Sequence, residues 1–410
     1  MAGALYHNIA RSSNMNIGQS LLFTLAGSLF WEYVPEWRQV LAVNDVIYNI
    51  GGALSLGELW FQTGRYFLNK KGLVYRILGF LNPITKANNL LDGKKALSWR
   101  TAPDSASSYF DVFAGGRHIS AQSGSESSAT AWIGMETRMR SFPDFSLSGA
   151  WSGKVPTVSL SEGRWNIALN GAGVLEANIR VLVQVFSLAS QEIDETGCGK
   201  SLSFGLASAF TYYRRRPVAF YDSHKIRPRH GDDLMLDEPR NFMDKYSAVH
   251  MLGPRIEYSR YKKDFLFRFS ASAFLDFALV NAFALNAYSA DFDISGAKTN
   301  ILYFGYHYAW GATVNSRLSL SYKGLLLDGR LWMHFWDSIE GRDRFQDEIV
   351  DDFDINDQRI RWTMDLKYVL PRFPLGFLLR YEVHRRSGSI RPVKSEDTIS
   401  RWAGGVLFRF

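Results

Sequence analysis

Glu32 and Glu36 stand four residues apart, as do Asp45 and Asn49, so each pair can share one face of a helix. Glu58 adds a further carboxylate. Carboxylates at this spacing can hold a divalent cation or share a proton, but no Glu-x-x-His element accompanies them, and the plainer reading is structural. His118 and Ser120 lie two apart in a stretch of alternating residues, which sets an imidazole and a hydroxyl on one side of a strand. No orienting acid can be assigned to them, and two polar residues near the rim of an apolar wall need no catalytic explanation. His224 and His230, with Asp222, Asp232 and Asp233, fall in a long polar stretch that reads as a solvated loop before it reads as a metal site. Gly51, Gly52 and Gly57 do not make a phosphate loop, because neither a preceding strand nor a following Lys-Ser/Thr pair is present. They point to close helix packing or a bend. No catalytic, metal or cofactor site is therefore assigned, and none is expected.

The elements that would position these residues change character near position 100. Ser12 to Trp31 contains no charge, but Asn14, Asn16, Gln19, Ser20, Thr24 and Ser28 interrupt it and argue against a membrane-crossing helix. Helical stretches follow over 44–68 and 73–91, separated by Lys70-Lys71-Gly72, the second broken near Asn82-Pro83. From about residue 107 the period becomes two. Ile360, Trp362, Met364, Leu366, Tyr368 and Leu370 alternate with Arg359, Arg361, Thr363, Asp365 and Lys367. Phe265, Phe267, Phe269 and Ala271 oppose Arg268, Ser270 and Ser272, and Trp402, Gly404, Val406, Phe408 and Phe410 oppose Arg401, Ala403, Gly405, Leu407 and Arg409.

Such rows exceed the roughly 9 to 11 residues that a tilted strand needs to cross a membrane, whereas sandwich strands average about five or six. Aromatic residues make up 15% of the chain, yet its mean hydropathy is −0.14, as strands with one lipid face and one wet face require. The net charge of +7 is spread along strands rather than gathered in a patch, which excludes nucleic acid as a partner. The single cysteine, Cys198, excludes an internal disulfide framework.

The prediction is a mainly β chain: a transmembrane antiparallel barrel of about 12 strands over 101–410, with a helical segment over 1–100 packed in or under it. Tight turns are expected at 261–264 and 371–374, and long polar loops at 217–245, 281–298, 339–356 and 387–396. The loops share the outer side if 316–338 is one long strand; a turn at Leu327-Asp328-Gly329-Arg330 would shift them by one crossing. Buried carboxylates need basic partners. Glu32, Glu36, Asp45 and Glu58 of the helices are accordingly expected to meet inward arginines, among them Arg180, Arg268, Arg359, Arg361 and Arg380.

Residues 3–68 carry Gly-Ala-Leu-Tyr-His-Asn-Ile-Ala-Arg at 3–11, Gly27-Ser28, Trp31-Glu32-Tyr33, Asn44-Asp45, Gly51-Gly52 and Gly57-Glu58. This pattern resembles a family of bacterial outer-membrane proteins of uncharacterised function, in which such a segment precedes a barrel. Trp402, Phe408 and the terminal Phe410 look like the assembly signal that barrel-insertion machinery reads. The His118-x-Ser120 spacing is similar to that of outer-membrane lipid hydrolases, although those continue with Asn where this chain has Ala121. The resemblance implies an integral outer-membrane protein whose partners are lipid, lipopolysaccharide, the assembly machinery and, in a larger complex, other outer-membrane or periplasmic subunits. Arg214-Arg215-Arg216 reads as a strand end meeting anionic lipopolysaccharide. No leader is visible at Met1 to Arg11, so one is expected to be missing from this chain. The expected role is a non-enzymatic barrel, its lumen occluded by the helices, acting as scaffold or gated transporter. A lipid-modifying enzyme and an open diffusion pore are the alternatives.

Overall fold

The structure, a computed structural model, describes residues 2–35, 43–68, 70, 72–79, 82–91, 108–121, 127–141, 148–171, 173–216, 244–292, 294, 301, 305–339 and 353–410. The two-residue rhythm resolves into twelve antiparallel strands. They are β1 (Tyr109–Ala121), β2 (Ser127–Arg140), β3 (Gly149–Asn170), β4 (Gly173–Ile193), β5 (Gly199–Arg215), β6 (Asp244–Lys262), β7 (Phe265–Asn281), β8 (Tyr306–Tyr322), β9 (Leu325–Ser338), β10 (Ile355–Val369), β11 (Leu375–Ile390) and β12 (Val393–Arg409). Each strand pairs with its sequence neighbours, and β12 returns to β1 from Asp111↔Arg409 to Ala121↔Ile399, closing the ring. Closure leaves no unpaired edge, the condition for strands to stand in lipid.

Two expected boundaries move. Residues 316–338 are not one strand: β8 and β9 form a hairpin across Lys323-Gly324, both at positive φ as a tight primed turn demands. The break lies before Leu327, and β8 begins at Tyr306, so the long connections 216–243, 282–305 and 339–354 still share one end of the barrel. The expected loop at 387–396 is absent, since β11 and β12 join through Arg391-Pro392 alone. At the opposite end, the Asp194 carboxylate accepts from the Thr196 and Cys198 amides and the Thr196 hydroxyl, closing the β4–β5 turn. Those bonds, the Thr196 hydroxyl foremost, hold its carboxyl below the usual range.

The helical segment comprises α1 (Ala2–Ser12), α2 (Ile17–Tyr33), α3 (Val43–Gly52), a π turn (Ala53–Gly57), α4 (Glu58–Leu68), α5 (Leu73–Leu78) and α6 (Pro83–Leu91). A further helix, α7 (Leu285–Asp291), lies between β7 and β8. Asn16 caps α2 in a reciprocal pair with Gln19, and Asn82 caps α6 ahead of Pro83. Its described helices are neither in the lumen nor under the barrel: the run from α3 to α4 lies on the outer wall, and α1, α2 and α6 pack on that run. Leu54, Leu56 and Leu59 pack on Val181, Val183 and Val185, which alternate with the inward Arg180, Leu182 and Gln184 of β4. Tyr48 donates to the Ser247 carbonyl at 2.8 Å and its ring meets Phe277, while Phe67 meets Phe110. The run from α3 to α4, about 39 Å long at about 1.5 Å per residue, crosses this wall from Tyr308 at the long-loop end, bonded by Asn44, to the Phe410 carbonyl at the other, bonded by Tyr66.

Glycine permits the close approach. A Cβ on Gly51 would sit 2.0 Å from Val249 Cγ1, and one on the wall residue Gly163 would sit 2.4 Å from Leu59 Cδ2.

Candidate functional site

The inward strand positions carry the chemistry. Among the buried described residues of the strands are fifteen Arg and Lys side chains and nine Asp and Glu. They are held in place by strand alternation, and the charges often recur two apart on one strand, as in Asp357 and Arg359, Arg255 and Glu257, or Asp328 and Arg330. Arg359 donates to Asp357 at 2.7 Å and Arg330 to Asp328 at 2.7 Å.

Other pairs cross the barrel. Arg361 of β10 donates to Asn178 of β4 at 2.9 Å, and these strands stand opposite each other in the ring. Arg317 of β8 reaches Glu162 of β3 at 2.9 Å, and Arg138 of β2 reaches Glu257 of β6 at 2.8 Å. Arg401 of β12 meets Glu176 of β4 at 2.9 Å and Tyr213 of β5 at 2.9 Å. Arg164 of β3 bonds Asp365 of β10, and Arg330 of β9 bonds Glu136 of β2. Direct bonds between facing strands require the side chains themselves to fill the lumen. At this level the barrel is a packed polar core rather than a channel.

A histidine cluster lies within it. His250 shares a hydrogen bond with Asp276 through Nδ1 at 2.7 Å and with Thr211 through Nε2 at 2.8 Å. His334 Nδ1 lies 2.6 Å from Thr313 Oγ1, which donates to Asp276; Trp336 donates to the same carboxylate at 2.9 Å. The ligand atoms of His250, Asp276 and His334 lie within 4.8 Å of one another, a set that could hold a metal ion. Both Asp276 oxygens already accept hydrogen bonds and all three residues are buried, so the cluster also reads as an internal network, in which His334 Nε2 alone of the four imidazole nitrogens has no hydrogen-bond partner. Sequence reading does not single out its residues, since they come from three strands and only the closed ring brings them together.

Four of the arginines predicted to meet the helices have carboxylates of strands as their partners. Arg268 lies 3.6 Å from Glu257, Arg359 bonds Asp357 and Asp244, Arg361 bonds Glu382, and Arg380 bonds Asp365, all carboxylates of strands. Glu58 is instead fully buried among helices, 2.9 Å from His7 Nε2 and from Arg11 Nε, with Gln62 donating as well. Glu32 and Asp45 border a cleft between α1, α2 and α3 with Tyr6, Trp31 and Tyr48. The reason is topological: the wall of strands stands between these helices and the lumen. Glu36, and His224, His230, Asp222, Asp232 and Asp233, lie outside the described residues.

His118 and Ser120 both face outward on β1, opposite Trp402 and Ser400 of β12. Trp402 and Phe408 are likewise outward and exposed, and Phe410 packs with Tyr75 and Phe110 at the barrel end.

Residues 1–83 match a family described as Domain of unknown function (DUF3943), and the 3–68 pattern lies inside that match. A comparison with curated proteins finds no match. Among solved structures, the chain is similar to OmpT, an outer membrane protein of Vibrio cholerae, at 6% identity and a TM-score of 0.26, covering 75% of this chain and 99% of that one. It is also similar to the β domain of the Bordetella autotransporter BrkA (10%, 0.25, 74% and 98%) and to the outer membrane protease OmpT from Escherichia coli (8%, 0.22, 76% and 100%).

Proposed function

We propose that this chain is an integral barrel of the bacterial outer membrane that acts as a non-enzymatic scaffold, its lumen sealed by its own strand side chains. The observation that carries the reading is the set of bonds across the lumen, Arg361 to Asn178, Arg317 to Glu162 and Arg164 to Asp365. An open diffusion pore needs a water-filled path where these side chains meet. The outward rows, with Trp362, Met364, Leu366, Phe377, Leu379 and Trp402 exposed, suit acyl chains. Lipid, lipopolysaccharide and the insertion machinery are the partners this implies, and a scaffold role adds other envelope subunits.

Conductance in planar bilayers tests it. The intact chain is expected to give no steady current, whereas the double variant Arg164→Ala/Arg361→Ala, which removes two of the bridges, is expected to leak. A steady large current from the intact chain would remove the sealed-lumen reading, and a current switched by voltage or ligand would make the barrel a gated transporter. For the hydrolase alternative, lipid release is expected to be absent and unchanged by Ser120→Ala.

A further inference from the structure

The lumen carries more buried cations than carboxylates, and the imbalance has a centre. Arg180 on β4 is 5% exposed, and its Nε and Nη2 have no hydrogen-bond partner; its guanidinium lies 5.7 Å from the Trp332 ring. It borders a cavity of about 50 Å³ inside the barrel, with Arg164, Arg255, Arg317, Arg330 and Trp332 in the same lining. The Nε atoms of Arg164 and Arg255 are also buried without a partner. Glu136 and Glu162 line the cavity too, but their charge is committed: Glu136 to Arg330 and Lys367, Glu162 to Arg138 and Arg317. Among the described residues no carboxylate bonds Arg180, and a buried guanidinium without a bonded counter-charge is strongly unfavourable. Water can satisfy its N–H groups but not its charge.

We propose that this cavity is a binding site for a small monovalent anion of the halide class, held by Arg180 with Arg164 and Arg255. The size admits the class, because a water needs about 10–15 Å³ of such space and the cavity of about 50 Å³ holds one halide ion together with a few waters. Arg164, Arg255, Arg317 and Arg330 are paired with Asp365, Glu257, Glu162 and Glu136, so it is Arg180, with the unbonded Nε atoms of Arg164 and Arg255, that favours negative charge here, and the Trp332 ring closes one side. The site goes beyond the scaffold reading and does not depend on it, since it concerns only the interior of the folded barrel.

The test uses the full chain in detergent at constant ionic strength, with sodium chloride or bromide replacing sodium gluconate. The unfolding midpoint is expected to rise saturably by at least about 3 °C with either halide, and crystals soaked in bromide are expected to show an anomalous peak within hydrogen-bonding reach of the Arg180 guanidinium. Arg180→Met is expected to abolish the halide dependence. A midpoint indifferent to halide, an equal dependence in Arg180→Met, or bromide found only elsewhere would overturn the assignment. If Arg180→Met does not fold, the bromide peak and halide titration of the unaltered chain decide alone.

Discussion

The barrel presents two different walls to its surroundings. Beneath the middle of the run from α3 to α4 the outward positions are small or β-branched, Gly163, Val181, Val183, Val185, Ser208 and Val249, while Phe277 and Phe110 lie under its two ends, against Tyr48 and Phe67. Across β7 to β12 they are large and bare, with Leu275, Leu318, Phe335, Trp362, Phe377 and Leu379 each more than a third exposed. Both walls obey the same two-residue alternation over the same charged interior. Within a bilayer, apolar side chains gain little by leaving lipid for protein, so association rests on close packing, which small residues allow. Side-chain size, not polarity, therefore marks the middle of the covered wall off from the bare one.

The strongest way to break that contrast is to put bulk where the helix touches. Gly51→Leu drives its side chain into Val249, and a loss of about 1–3 kcal/mol is expected from the overpacking, read as a lower urea midpoint and faster proteolysis of the helical segment. Gly404→Leu on β12 is the matched control. A Cβ added there would meet no atom within 4 Å, so stability is expected to hold within about 0.5 kcal/mol. Equal losses at the two positions would erase the distinction between the walls.

A gentler change removes packing rather than adding it. Val183 is fully buried under the helices, and Val183→Ala is expected to cost about 1 kcal/mol in urea unfolding, against less than about 0.5 kcal/mol for Leu379→Ala on the bare wall. A larger loss at Leu379 would mean that β11, too, is covered.

The contrast also explains what the sequence disclosed. The barrel and the identity of its lipid face are legible at Ile360 to Leu370, where aromatic and charged residues alternate without interruption. Strand boundaries are not legible over 141–200, where the inward Leu182 has valines on both sides and the covered wall loses the contrast between faces. The lumen arginines are legible from their parity, but their partners are not, because pairs such as Arg164 and Asp365 become neighbours only when the ring closes. The carboxylates of the helices demand cations, which on sequence alone points to the lumen; Arg11, close by in the fold, supplies one to Glu58 instead, and His7 shares a hydrogen bond with the same carboxylate.

The polar residues that interrupt Ser12 to Trp31 have a use that spacing alone shows in retrospect. Ser20, Thr24, Ser28 and Glu32 recur every four residues and form the buried face of α2, while Leu22, Phe23, Phe30 and Trp31 are turned outward. This polarity is the reverse of a helix on a protein in water. No described helix is long and apolar enough to cross a membrane, yet this one turns an apolar face outward of the kind that acyl chains would meet. Spin labels at Leu22, Phe23 and Phe30, which disturb the fold least of all these changes, are expected to be accessible to oxygen and shielded from a water-soluble nickel reagent in proteoliposomes. Labels at Trp362 and Phe377 calibrate the barrel itself. If those two report lipid while the α2 sites report water, the helical layer stands clear of the bilayer. If all five report water, the membrane reading of the whole barrel falls with it.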